Sequence, residues 1–93
     1  MQFDWDDTKR RQNLAKHGVD FEDIKDFDWA TALEIFDDRK DYNELRIRSM
    51  GHIQNRLHVC VYTERSDCYR IISLRKANKR EERIYEKIKN HKN

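Results

Sequence analysis

The sequence has no proline, only two cysteines and no long apolar run, and each shortage excludes something. Without proline or any low-complexity stretch, the chain does not have the make-up of a disordered linker. No segment approaches the roughly 18 consecutive apolar residues that a membrane-spanning helix needs, so no membrane association is expected. The opening residues, Met1-Gln2-Phe3-Asp4-Trp5-Asp6-Asp7, are acidic and have no apolar core, unlike a secretory signal. The expected compartment is therefore the cytoplasm, where Cys60 and Cys68 are free thiols rather than a bridge. These two cysteines with His52 and His58 have none of the close-paired spacings of zinc sites, so neither a metal nor another cofactor is expected.

Apolar residues are also scarce. They make up 37% of the chain against 41% charged, so any core is thin. Ninety-three residues leave room for one domain, residues 1–93, which buries only a modest share of its surface. Well-spaced aromatic and β-branched residues argue that this domain folds despite its charge. The net charge of +2 conceals an asymmetry. Residues 1–38 hold eleven Asp/Glu against five Lys/Arg, and residues 39–93 hold seven against fifteen. A basic second half points to a local positive surface of the kind that attracts phosphate backbones. The plainer alternative is that these charges only keep a thin-cored domain in solution.

Periodicity and capping signals give the elements. Phe3-Asp4-Trp5 alternates as a short strand does. Asp7 or Thr8 caps a first helix that runs to His17 and stops at Gly18. With Gly18 at C′, Leu14 and Val19 occupy the positions that usually touch at such a stop. Asp20 caps a second helix, with Val19 and Ile24 at its hydrophobic-staple positions and Phe21, Ile24 and Phe27 on one face. From residue 31 the period becomes two. Strands are expected over Thr31–Phe36, Glu44–Ser49, Leu57–Thr63 and, less cleanly, Tyr69–Arg75. Loops at Asp37–Asn43, Gly51–Arg56 and Glu64–Cys68 are short enough for antiparallel hairpins. Asn78 and Glu81 form a capping-box-like pair before a last helix with Ile84 and Ile88 on one face, Tyr85 beside it, and Arg80, Arg83 and Lys87 on another. The order β-α-α-β-β-β-(β)-α describes an α+β domain: a small antiparallel sheet flanked by helices.

Phe3-Asp4-Trp5-Asp6, with Lys9, Asn13 and Lys16-His17-Gly18, resembles the opening signature of the BrnT toxin family. Glu44-x-Arg46, Gly51, Tyr62-Thr63-x-Arg65 and Arg70-Ile71-Ile72-Ser73-x-Arg75-Lys76-Ala77, with Glu81 and Tyr85, resemble its later blocks. The matches run in order over nearly the whole chain. The resemblance implies a RelE-like fold and a ribonuclease toxin that inhibits translation. It also implies neutralisation by a BrnA-type antitoxin, whose ribbon-helix-helix domain would bring the complex to DNA only indirectly.

Metal-free RNA cleavage needs a base for the ribose 2′-hydroxyl, cations for the developing phosphorane charge and an acid for the 5′-oxygen. The expected catalytic set is Glu44, Arg46, Arg65, Arg75 and Lys76. Glu44 is the base beside Arg46 on one strand face, Arg65 comes from a hairpin, and Arg75-Lys76 end the last strand. Guanidinium forks suit this work because they hold two phosphate oxygens at once. Arg48, Arg70, Arg80 and Tyr85 are the expected RNA-binding residues.

Each has a plainer alternative. Glu44 and Arg46 make a surface ion pair; Arg75, Lys76 and the basic face of the last helix are solvated charges; Tyr85 is core. His17 at a helix end complements the helix dipole, His58 packs among strand neighbours, Asn13 holds a loop, and Trp5 and Trp29 anchor the core. Two functions therefore compete: a metal-independent endoribonuclease toxin, and a non-catalytic subunit that docks a DNA-binding autorepressor. Direct DNA binding is the weaker reading, because the sequence has no helix-turn-helix or zinc pattern and its first half is acidic.

Overall fold

The computed structural model describes residues 2–37 and 44–90. The loop expected over residues 37–43 therefore falls almost wholly outside the described residues. The elements are β1 (Gln2–Asp4), α1 (Asp7–His17), two 3-10 turns (Phe21–Asp26 and Trp29–Thr31), β2 (Leu33–Asp37), β3 (Arg46–Ile53), β4 (Arg56–Arg65), β5 (Cys68–Lys76) and α2 (Lys79–Asn90). They form a five-stranded sheet in the order β1-β5-β4-β3-β2. The α+β class is as expected, but the sheet is mixed: β1 runs parallel to β5, while β2 to β5 form an antiparallel meander. No helix of the described residues is long and apolar enough to cross a membrane.

The first corner follows its sequence signals closely. Gly18 is left-handed (φ 71°), and its N–H donates to the Leu14 carbonyl at 2.8 Å. Val19 and Ile24 are both buried, whereas Leu14 is 43% exposed, so Val19 serves the core more than the helix stop. The cap of α1 is Asp6, one residue earlier than expected, accepting from the N–H groups of Thr8 and Lys9. The second helix is shorter and tighter than expected, a 3-10 turn begun by Asp20, whose carboxylate accepts from the Glu22 N–H. Arg10 grips the same carboxylate with two bonds of 2.8 and 3.0 Å, which holds the Asp20 carboxyl below its usual range and ties α1 to that turn. Gly18→Ala should cost about 1 kcal/mol or more from the φ requirement alone, since a Cβ there meets nothing within 4 Å. An unchanged urea midpoint would contradict that.

Strands β3 and β4 run further than the sequence suggested, leaving a two-residue turn at Gln54-Asn55, with Gln54 left-handed (φ 55°). The misleading signal was Gly51. It lies inside β3 because the Phe27 ring sits over it, and a Cβ there would be 2.6 Å from Phe27 Cζ. At the other end, Glu64 and Arg65 belong to β4, and only Ser66-Asp67 turn. A bulge between Val61 and Tyr62 shifts the register against β5, so that Val61 pairs with Ser73 but Tyr62 with Ile71, and Ile72 is the extra residue. The adjacent isoleucines, which make this the least regular of the expected strands, thus mark a bulge.

The two sheet faces differ. One face buries Ile47, Ile53, Cys60, Tyr62, Ile71 and Leu74 against Val19, Phe21, Ile24 and Phe27, with Phe3, Trp5 and Trp29 packed around them. Both tryptophans are thus core anchors, as expected. Burial raises the Cys60 thiol well above its ordinary range, and both cysteines are free. The other face has a smaller cluster, Met50, Leu57, Val59 and Ala77 beneath Tyr85 of α2, flanked by Leu33 and Ile35. Helix α2 begins with the expected capping box: the Glu81 N–H donates to Asn78 Oδ1 (2.8 Å) and the Asn78 N–H to Glu81 Oε1 (2.9 Å).

Asn13 joins helix to sheet. It is buried, and its Nδ2 donates to the carbonyls of Val19 (2.9 Å) and Leu74 (2.7 Å), while the Leu74 N–H donates to its Oδ1 (3.3 Å). The side-chain amide therefore acts as a strand partner where β5 passes beyond the end of β1, which pairs only with Cys68 to Arg70. That extends the expected loop-holding role to a contact with a strand 61 residues away.

Candidate functional site

Residues paired across an antiparallel sheet share a face, so the register tests which expected site residues come together. Arg48 pairs with Val61, and Val61 with Ser73. Val59 pairs with Arg75, Thr63 with Arg70 and Arg65 with Cys68. By alternation Arg46 lies beside Arg48. Arg46, Arg48, Arg65, Arg70 and Arg75 therefore stand on one face, the one whose other end is covered by Tyr85 of α2.

Local contacts orient them. Glu44 lies outside β3, one correction to its expected place on the strand, yet its carboxylate still reaches the arginines. One oxygen is 3.8 Å from Arg46 Nε and the other 3.6 Å from Arg65 Nη2. Arg70 Nη1 is 3.2 Å from Asp4 Oδ2, across the parallel β1–β5 pair. Arg75 makes a two-pronged pair with Glu81 (2.8 and 2.9 Å), which holds the Glu81 carboxyl below the usual carboxylate range. Arg75 thus fastens the start of α2 to β5. Arg48 contributes to the field on Glu81 and makes no ion pair among the described residues; with Arg80, Asn78, Glu81 and Ile84 it lines a cleft at the foot of α2. A second cleft lies between Asp6 and Lys9 of α1 and the residues Glu44, Thr63, Arg65 and Arg70. Thr63 Oγ1 is buried there and has no hydrogen-bond partner among the described residues.

Two expected residues do not join the arginines. Lys76 is opposite His58 in the register, on the face away from Arg75, and its charge helps to lower the His58 pKa behind the larger effect of burial. Adjacent strand residues point to opposite sides, so Arg75 and Lys76 do not act as one pair. Tyr85 is directed inward: it is 8% exposed, and its hydroxyl donates to the Thr31 carbonyl at 2.9 Å. It is not available to stack on a base. His58 is buried with Nδ1 against the Arg56 carbonyl, consistent with packing.

Sequence reasoning passed over Lys9 and Thr63 as site residues. Both carried a signal, Lys9 in the opening signature and Thr63 in the Tyr62-Thr63-x-Arg65 block.

A family model described as the ribonuclease toxin BrnT of type II toxin–antitoxin systems matches residues 5–81. The chain belongs to the BrnT family. The match takes in Glu44 and all five arginines of the face, and it ends at Glu81, the residue that Arg75 holds. No curated protein matches the chain. As a BrnT toxin it belongs to a family of ribonucleases, with RNA as target and an antitoxin as partner.

Proposed function

We propose that this BrnT chain is a metal-independent endoribonuclease that inhibits translation in the cytoplasm, with Glu44, Arg46, Arg48, Arg65 and Arg70 forming its active face. We propose further that a BrnA-type antitoxin of RelE-like systems neutralises it. One observation carries the catalytic reading: five arginines share a sheet face, and a carboxylate lies within 4 Å of two of them.

The chemistry follows from that arrangement. A phosphodiester lying over Arg46 and Arg65 brings its 2′-hydroxyl towards Glu44, which takes the proton. The 2′-oxygen attacks phosphorus, the guanidiniums hold the growing charge on the non-bridging oxygens, and the bond to the 5′-oxygen breaks. The leaving oxygen takes up a proton, giving a 2′,3′-cyclic phosphate and a 5′-hydroxyl end. The nucleophile is internal to the RNA and the arginines supply the cationic charge, so this route assigns no step to a metal. Arg75, occupied by Glu81, is a positioning residue that fixes α2, and Arg80 extends the cationic surface beside Arg48.

The non-catalytic reading has one observation in its favour. Arg46, Arg65, Arg70 and Arg75 already have carboxylate neighbours, as residues of a solvated face would. RNA affinity across a salt series separates structural charge from phosphate binding. Neutralised phosphates give a slope of about −0.7 each in log affinity against log salt for single strands. Three or more contacts should therefore make binding fall steeply between low and physiological salt, whereas a flat response would remove the electrostatic argument.

A further inference from the structure

We propose a second RNA-backbone site, a groove between α1 and the bulged edge of β5 in which Lys9, Gln12 and Lys16 hold the strand that flanks the cleaved phosphodiester. It rests on the ribonuclease reading only for the identity of the nucleic acid.

The groove is a consequence of the bulge. Strand β1 accompanies β5 only as far as Arg70, and beyond it the edge of β5 is met by α1 through Asn13. Ile72, the extra residue of the bulge, lines a cleft with Lys9, Gln12, Lys16, His17 and Ser73. Lys9, Gln12 and Lys16 follow one another at three and four residues, so they form a stripe on one face of the helix. The lysines are seven residues apart, about 10 Å along the axis.

Two features mark this groove as a place for an anion rather than a solvated helix face. Among the described residues no carboxylate lines it and neither lysine makes an ion pair, whereas four of the sheet-face arginines have carboxylate neighbours. The acidic residue at the start of α1, Asp7, is engaged elsewhere, by Arg10 and Arg11. The groove is also continuous with the proposed active face, because Lys9 and Ile72 line both this cleft and the one formed by Glu44, Thr63, Arg65 and Arg70. Thr63 lines the active-face cleft beside this junction, its buried hydroxyl without a hydrogen-bond partner among the described residues. Cations in line with an uncharged amide suit a phosphodiester backbone, which needs position and charge but no base-specific contact.

The test compares wild type with the double variant Lys9→Ala/Lys16→Ala on two fluorescent single-stranded RNAs, one of three nucleotides and one of about sixteen. Binding is measured by anisotropy over a salt series. The variant should bind the long RNA about tenfold more weakly, with its salt slope flattened by about 1.4, the value for two lost phosphate contacts. The trinucleotide, which covers the active face and reaches Lys9 but not Lys16, should lose less affinity than the long RNA, with its salt slope flattened by no more than about 0.7. Equal long-RNA affinity in wild type and variant would overturn the proposal, and so would an equal loss on both lengths. Unchanged RNA affinity with weakened antitoxin binding would assign the groove to the protein partner instead, which also overturns it. Because the readout is binding, a wild type that holds the long RNA without cutting it contradicts the ribonuclease reading while the groove is still judged by the variant.

Discussion

Glu44→Gln should lower RNA cleavage by roughly 10²–10⁴, the usual range for removal of a general base. Arg65→Ala should lower it by roughly 10²–10³, the range for removing one donor that stabilises transition-state charge. Both side chains are substantially exposed, 39% for Glu44 and 51% for Arg65, and their separation is 3.6 Å. An exposed ion pair of that kind contributes at most about 1 kcal/mol, so thermal stability should change little. The combination is the diagnostic part. If the pair only decorates the surface, both variants keep wild-type cleavage, and if it supports the fold, cleavage and melting temperature fall together. Single-turnover rates beside thermal melts read both. Arg75→Ala is a poorer probe. Its guanidinium fixes Glu81, whose carboxylate completes the cap of α2, so that variant should lose stability as well as activity.

Asn13→Ala should remove about 2–4 kcal/mol of stability. Three hydrogen bonds are lost, and each buried backbone group left without a partner costs about 1–3 kcal/mol, part of which water entering the space recovers. The groups concerned are the carbonyls of Val19 and Leu74 and the N–H of Leu74. For a domain of this size the total is about 5–15 kcal/mol, so the loss is a large fraction of it. Asn13→Asp should be at least as harmful, because the new acceptor would face the carbonyls of Val19 and Leu74. Urea unfolding with an unchanged m value measures the shift, and a change below about 0.5 kcal/mol, the ordinary effect of a surface substitution, would show that Asn13 does not bridge α1 and β5.

The residues that were legible in the sequence are those whose reasons are local. Gly18 before Val19, Asp20 before its turn and the Asn78–Glu81 box are short-range backbone arrangements, and all three are present. Alternation placed Arg46 and Arg48 together, and the same alternation, applied one strand later, separates Arg75 from Lys76. What could not be read depends on distant partners. Nothing around Gly51 indicates that Phe27 lies over it, so a strand interior resembled a loop. Three residues of β1 carry no sign of pairing in parallel with a strand at the far end of the chain. The last helix shows a subtler limit. Its isoleucines suggested the buried face, but Ile84 and Ile88 are 40% and 39% exposed while Tyr85, one residue around the helix, fills the space above Met50 and Leu57. Tyr85 also donates to the Thr31 carbonyl, and Arg75 holds Glu81, contacts with distant residues that a simple apolar stripe does not show.

The most direct test of the account is RNA cleavage by the purified chain in excess chelator, with the new ends identified. Wild type should cut single-stranded RNA under these conditions, leaving 2′,3′-cyclic phosphate and 5′-hydroxyl ends, and Glu44→Gln should not. Cleavage that vanishes with the chelator and returns with added metal, or a Glu44→Gln variant that cuts as fast as wild type, would contradict it.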